Sequence, residues 1–142
     1  MFNIFKKKTS IKKERNQLLS KTASLLIHAA KIDENYTDKE IEIIKKTLIK
    51  LGINRSEVNQ IMIEAEKNER NSNQILDFTK EIKNSNEDFK IKVIESIWII
   101  IYSNNNADMY ETNLVRRLSG LLYLDNKIVG DIKEKIKKNF DK

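Results

Sequence analysis

Apolar residues recur every three or four positions along most of this chain, the spacing of helices that each bury one face. Leu18, Leu19, Thr22, Leu25, Leu26 and Ala29 predict a first helix over about Ile11–Ala30. Ile41, Ile44, Leu48 and Leu51 form the stripe of a second, which starts after Thr37 and stops at Gly52. Val58, Ile61, Met62 and Ala65 predict a third over about Arg55–Glu69. Ile75, Leu76, Phe78 and Thr79 predict a fourth over about Ser72–Ile82. Ser85 and Asp88 are expected to open a fifth that runs to about Tyr102. Its segment IESIWIII is apolar nearly all round, so this helix should be the most buried. A sixth should start after Asp108 and run to about Leu122, and a seventh after Asp125 towards Phe140. The linkers are short, as between antiparallel neighbours in a bundle.

Sliding the chain by 71 residues brings Asp33 onto Asn104, Glu40 onto Glu111, and Leu51 and Ile53 onto Leu122 and Leu124. Ile43-Ile44-Lys45-Lys46 falls on Leu114-Val115-Arg116-Arg117. The fold expected is therefore all-α: a compact bundle of about seven helices with an internal pseudo-twofold repeat, whose two polar loops could face each other. Residues 1–10, MFNIFKKKTS, read as a flexible or amphipathic leader, and residues 11–142 as one domain.

Composition supports the helical reading. Among 142 residues there is no proline, and there are only three glycines. Absence of cysteine excludes disulfides and thiolate metal sites. No secretory signal is evident and the longest apolar run is far too short to span a bilayer, so a cytoplasmic protein is expected. The net charge of +6 lies mostly at the two ends, and no aromatic-plus-basic RNA motif accompanies it. Nucleic acid is therefore not an expected partner. The apolar and basic residues of 1–15 suit a peripheral contact with the inner face of a membrane.

The candidate chemistry sits at KIDENYTDKE, residues 31–40. An EF-hand loop counted from Asp33 would need glycine at its sixth position and glutamate at its twelfth. Asp38 and Ile44 stand there, so the EF-hand reading fails. Thr37-Asp38-Lys39-Glu40 has the form of a capping box, and so does Asp108-Met109-Tyr110-Glu111. Capping explains Glu40 and Glu111 without a ligand, but it does not require Asp33, Glu34 or Asn35.

LLIHAAKIDENYTDKE (25–40) and IWIIIYSNNNADMYETNLVRRLSGLL (97–122) together resemble the TerB-like tellurite-resistance family. IEAE at 63–66 and FTKEI at 78–82 look like its middle section, and the resemblance spans about residues 15–138. The N-terminal domain of the membrane-anchored DjlA co-chaperone looks like the same fold. The resemblance implies an all-helical domain with a paired acidic surface that binds metal ions. Carried over position by position, the implied ligand positions are Asp33 and Glu40 in the first half, and Asn104 and Glu111 in the second; Glu34, beside Asp33, is a further candidate from its own carboxylate. Asn104 stands where the family usually has Asp, and Glu34 and Asn105 where it has glycine. The second loop has thus lost charge, and binding should be weak and centred on the first. Carboxylate oxygens suit Ca²⁺ or Mg²⁺ better than Zn²⁺, although no cofactor is required.

Other residues read as structural. His28, the single histidine, has no second histidine or cysteine beside it and should tuck between helices. Trp98 and Tyr102 should be core and core edge, and Arg116 or Arg117 could pair with Glu111 or Glu95. No nucleophile elbow, phosphate-binding glycine loop or metalloprotease motif occurs, so no enzyme is expected. A non-catalytic interaction or stress-response module with a protein partner is the first reading; a membrane-proximal scaffold or co-chaperone-like adaptor is the alternative. Neither the partner nor the oligomeric state is legible in the residues.

Overall fold

The computed structural model describes residues 2–32, 36–72, 74–103 and 109–140, apart from the side chains of 2–13, 109–112 and 140. Among the described residues there are seven helices and no strand: α1 (Phe2–Ala30), α2 (Asp38–Lys50), α3 (Val58–Asn71), α4 (Leu76–Lys83), α5 (Glu87–Ser103), α6 (Met109–Leu121) and α7 (Asn126–Phe140). The protein is a compact all-α bundle.

The apolar stripes explain how the helices meet. α1 packs against α2, α3, α4 and α5, while α5 also touches α2, α4, α6 and α7. The core of α5 is Val93, Ile94, Ile97, Trp98, Ile100 and Ile101, all buried, as its nearly continuous apolar surface requires. α1 shares the centre: Leu19, Ala23 and Leu25 to Ile27 are buried with it. Two small polar residues buried on α1 bond to main chain. The Thr22 hydroxyl donates to the Leu18 carbonyl at 2.8 Å, and the Ser24 hydroxyl donates to the Ala65 carbonyl of α3 at 3.0 Å.

Helix ends account for the differences from the sequence expectations. α1 begins at Phe2 rather than near Ile11, so the backbone of the expected leader continues the helix. Ser72, expected to open α4, instead closes α3 in an extended conformation. Its hydroxyl donates to Asp77 and accepts from the Gln74 amide, which holds the turn before α4. α5 is capped by Asn86, whose side-chain oxygen accepts from the Phe89 amide at 2.8 Å. Ser85 was the residue expected there; its hydroxyl donates back to the Ile82 carbonyl. Asp125 caps α7 as expected, accepting from the Lys127 amide at 2.9 Å.

The offset of 71 residues reappears in one turn. α2 and α6 each have 13 residues. After α2, the amides of Leu51, Gly52 and Ile53 donate to the carbonyls of Thr47, Ile49 and Leu48. After α6, the amides of Leu122, Tyr123 and Leu124 donate to Leu118, Gly120 and Ser119. Both are Schellman endings, which need a left-handed residue after the cap. Gly52 (φ 116°) supplies it in the first, and Tyr123 (φ 57°) in the second. A side chain in the left-handed region costs roughly 1–2 kcal/mol, so Tyr123 is strained where Gly52 is not.

Candidate metal centre

Residues 31–37 connect α1 to α2, and α3 packs against both of these helices. The capping box is present in full. Thr37 Oγ1 accepts from the Glu40 amide at 3.3 Å, and Glu40 Oε1 accepts from the Thr37 amide at 3.1 Å. The Thr37 hydroxyl also lies 3.1 Å from Glu40 Oε1, close enough to donate to it. Glu40 is fully buried, unusual for a carboxylate in a first helical turn. These bonds are how its burial is tolerated.

Tyr36, just before the box, is half-buried and its hydroxyl donates to Glu66 Oε1 of α3 at 3.3 Å. Burial raises the Tyr36 pKa first, then the charge of Glu66 and the hydrogen bond to it, then Glu40 and Glu69. Three carboxylates from two helices therefore act on one phenol. Glu69 is held from the α1 side. Lys31 Nζ donates to its Oε2 at 2.8 Å, and His28 Nδ1 stands 3.6 Å from its Oε1. Lys31 also lies over the Tyr36 ring, 5.6 Å from the centroid.

Lys39 Nζ reaches the Ser103 carbonyl at 3.5 Å, a long exposed contact that sets the start of α2 beside the end of α5. Asp33, Glu34 and Asn104 lie outside the described residues. Glu111 is placed only by its backbone, in the first turn of α6. Glu40 is the one expected ligand whose side chain is described, and it serves the capping box. Among the described residues, no group of three or more His, Cys, Asp or Glu side chains could by itself hold a metal ion. Glu40, Glu66 and Glu69 present hard carboxylate oxygens, the donor type of Ca²⁺ or Mg²⁺ and not of a soft-ligand site.

Glu66 and Glu69 were not read as site residues. Their signal was present: they lie three positions apart, on one face of α3. Only packing shows that this face meets Tyr36. His28 sits between α1, α3 and α4, half-exposed, with its ring 6.5 Å from that of Phe78. Trp98 is buried and stacks on half-buried Tyr102 at 5.7 Å. Glu95, offered by the sequence to Arg116 or Arg117, lies instead 3.9 Å from Lys135 of α7.

The hydroxyls of Ser24, Ser96 and Ser119 all donate to main-chain carbonyls, of Ala65, Lys92 and Val115. They serve as structural donors. Among the described residues, no helix is long and apolar enough to cross a membrane.

A family model described as "Tellurite resistance protein TerB" matches residues 19–134. No curated protein and no solved structure matches the chain.

Proposed function

From the premise that the chain belongs to the TerB tellurite-resistance family, we propose that it is a non-catalytic interaction and stress-response module that binds a divalent cation weakly at the α1–α2 corner. The observation that supports the reading is the reach of Glu66 from α3 to Tyr36, which follows the acidic residues 33–34 closely in sequence. Carboxylates from α2, α3 and the connection supply the hard oxygens that Ca²⁺ or Mg²⁺ prefers. Asp33 and Glu66 are the residues best able to give charge without breaking the capping box. Asn104 and Glu111 contribute less, because Asn104 brings no charge. A cation there would draw the connection towards α3 and so alter the surface offered to a protein partner.

Titration calorimetry and amide NMR of the wild type with Ca²⁺, Mg²⁺ and Zn²⁺ test this. Saturable shifts around Tyr36, lost in both Asp33→Ala and Glu66→Gln, are expected. Shifts that persist in both variants, or none at millimolar Ca²⁺ and Mg²⁺, refute the site.

The alternative, a membrane-proximal scaffold, is favoured by one observation. Because α1 begins at Phe2, the residues Phe2, Ile4, Phe5 and Lys6 to Lys8 all belong to one helix. Sedimentation with anionic liposomes, with and without residues 1–15, decides it: binding unchanged by the truncation removes the anchor.

A further inference from the structure

Among the described residues, three large apolar side chains are markedly exposed: Ile63, Leu76 and Tyr123. Two of them meet. Leu76 and Tyr123 line a groove of about 330 Å³ between α4 and the end of α6, together with Lys80, Lys83, Gly120 and Leu121. The groove shares no residue with the acidic corner.

Two choices in this groove work against the fold's own local preferences. Tyr123 holds a left-handed backbone at the position where the matching turn has Gly52, yet its side chain is 72% exposed. Its ring meets Lys83, whose Nζ lies 4.7 Å from the centroid. Gly120 lies in the last turn of α6 without a positive φ, and a Cβ built there would meet nothing within 4 Å. Neither the turn nor the packing calls for glycine at that position. A left-handed tyrosine and a glycine that the packing does not require thus stand together on an exposed surface.

The chemistry of the occupant follows from the walls. The floor is apolar, and the open glycine lets a backbone approach closely. The charged side chains at the rim are Lys80 and Lys83, and among the described residues no carboxylate lines the groove. We propose that this groove docks an amphipathic helical segment of a partner protein, with its apolar side chains against Leu76 and Tyr123 and its carboxylates on Lys80 and Lys83. The proposal deepens the interaction-module reading by naming the surface and the partner's chemistry, and it does not depend on the cation.

A displayed library of helical peptides, randomised between apolar, acidic and basic residues, is selected on the full chain in EDTA and counter-selected on Tyr123→Gly. Enrichment of Asp and Glu beside apolar residues at helical spacing is expected. The leading peptide should shift the amides of Leu76, Lys80, Lys83, Gly120 and Tyr123. Its affinity should fall about tenfold in Tyr123→Gly and in Lys80→Glu/Lys83→Glu. Tyr123→Gly should melt at the same or a higher temperature than the wild type, because glycine relieves the left-handed strain. Four results overturn the proposal: no enrichment, enrichment of Lys and Arg, equal binding by the variants, or a lower melting temperature for Tyr123→Gly. Phosphatidylglycerol vesicles and sedimentation of the free chain complete the test. Vesicle binding or self-association that Tyr123→Gly abolishes would assign the groove to a lipid surface or a second copy, and would also overturn it. EDTA keeps the outcome separate from the cation site, whose failure would leave this result intact.

Discussion

Replacing Gly52 with alanine tests the most specific geometry in the fold. Gly52 ends α2 with φ 116°, a conformation that residues with a side chain rarely adopt. Forcing alanine into it costs roughly 1–2 kcal/mol. A second effect comes from α1. A Cβ on Gly52 would lie 2.8 Å from the Arg15 Cζ and closer still to its Nη2. Arg15 is exposed and flexible, so it swings away instead of straining the core. What it loses is the hydrogen bond from Nη2 to the Leu51 carbonyl, 3.2 Å long, worth about 0.5–1.5 kcal/mol net. The backbone effect is the larger on average, and the sum is about 1.5–3.5 kcal/mol. Urea denaturation reads this directly, and at about 3 °C per kcal/mol the melting temperature falls by roughly 5–10 °C. A double-mutant cycle separates the parts. In an Arg15→Ala background, Gly52→Ala should lose only the backbone cost, leaving a coupling of about 1 kcal/mol. Gly130→Ala is the control: its Cβ meets nothing, and helix propensity should make it neutral or stabilising by up to about 1 kcal/mol. If Gly52→Ala and Gly130→Ala behave alike, or the cycle shows no coupling, the reasoning about this turn is wrong.

Thr37→Ala removes the Oγ1 that accepts from the Glu40 amide and should cost about 1 kcal/mol by thermal melting, while Thr37→Ser keeps most of it; equal losses would refute the cap. Tyr36 has a pKa raised in the folded chain above its ordinary 10.0, so its contribution to stability is complete below that pH and is lost as pH rises beyond it. Tyr36→Phe should therefore flatten the alkaline fall in stability, and an unchanged pH profile would contradict the assignment. Ile97→Ala opens a cavity at a fully buried position of α5 and should cost about 2–5 kcal/mol in urea unfolding; a loss below 1 kcal/mol would show that α5 is not central.

Most of the bundle was legible because its determinants are local or periodic. The stripes of α2 and α3, the Thr37 box, the Gly52 stop and the Asp125 cap all depend on residues within one or two turns of each other. The misplaced boundaries were also local, at positions where two polar residues compete. Ser72 and Ser85 are good caps in isolation, but each donates its hydroxyl to a neighbour, and Asn86 takes the amide at the start of α5. The leader was separated from α1 because lysines interrupt the apolar stripe, yet nothing in MFNIFKKKTS breaks a helix. The acidic segment stood out as a candidate because its carboxylates are close in sequence. Its neighbours on α3 did not.

By itself the sequence determined an all-helical chain, where most helices start and stop, which faces are apolar, and membership of the TerB family. Those properties follow from spacing along one chain. The tertiary structure alone decided which polar residues meet. Tyr36 reaches Glu66 across 30 residues, Lys31 reaches Glu69 across 38, and Arg15 covers the end of α2 across 36. Each contact depends on how far one helix is turned about its axis against the next. That rotation is set by the summed packing of many apolar side chains, so no short stretch of residues encodes it.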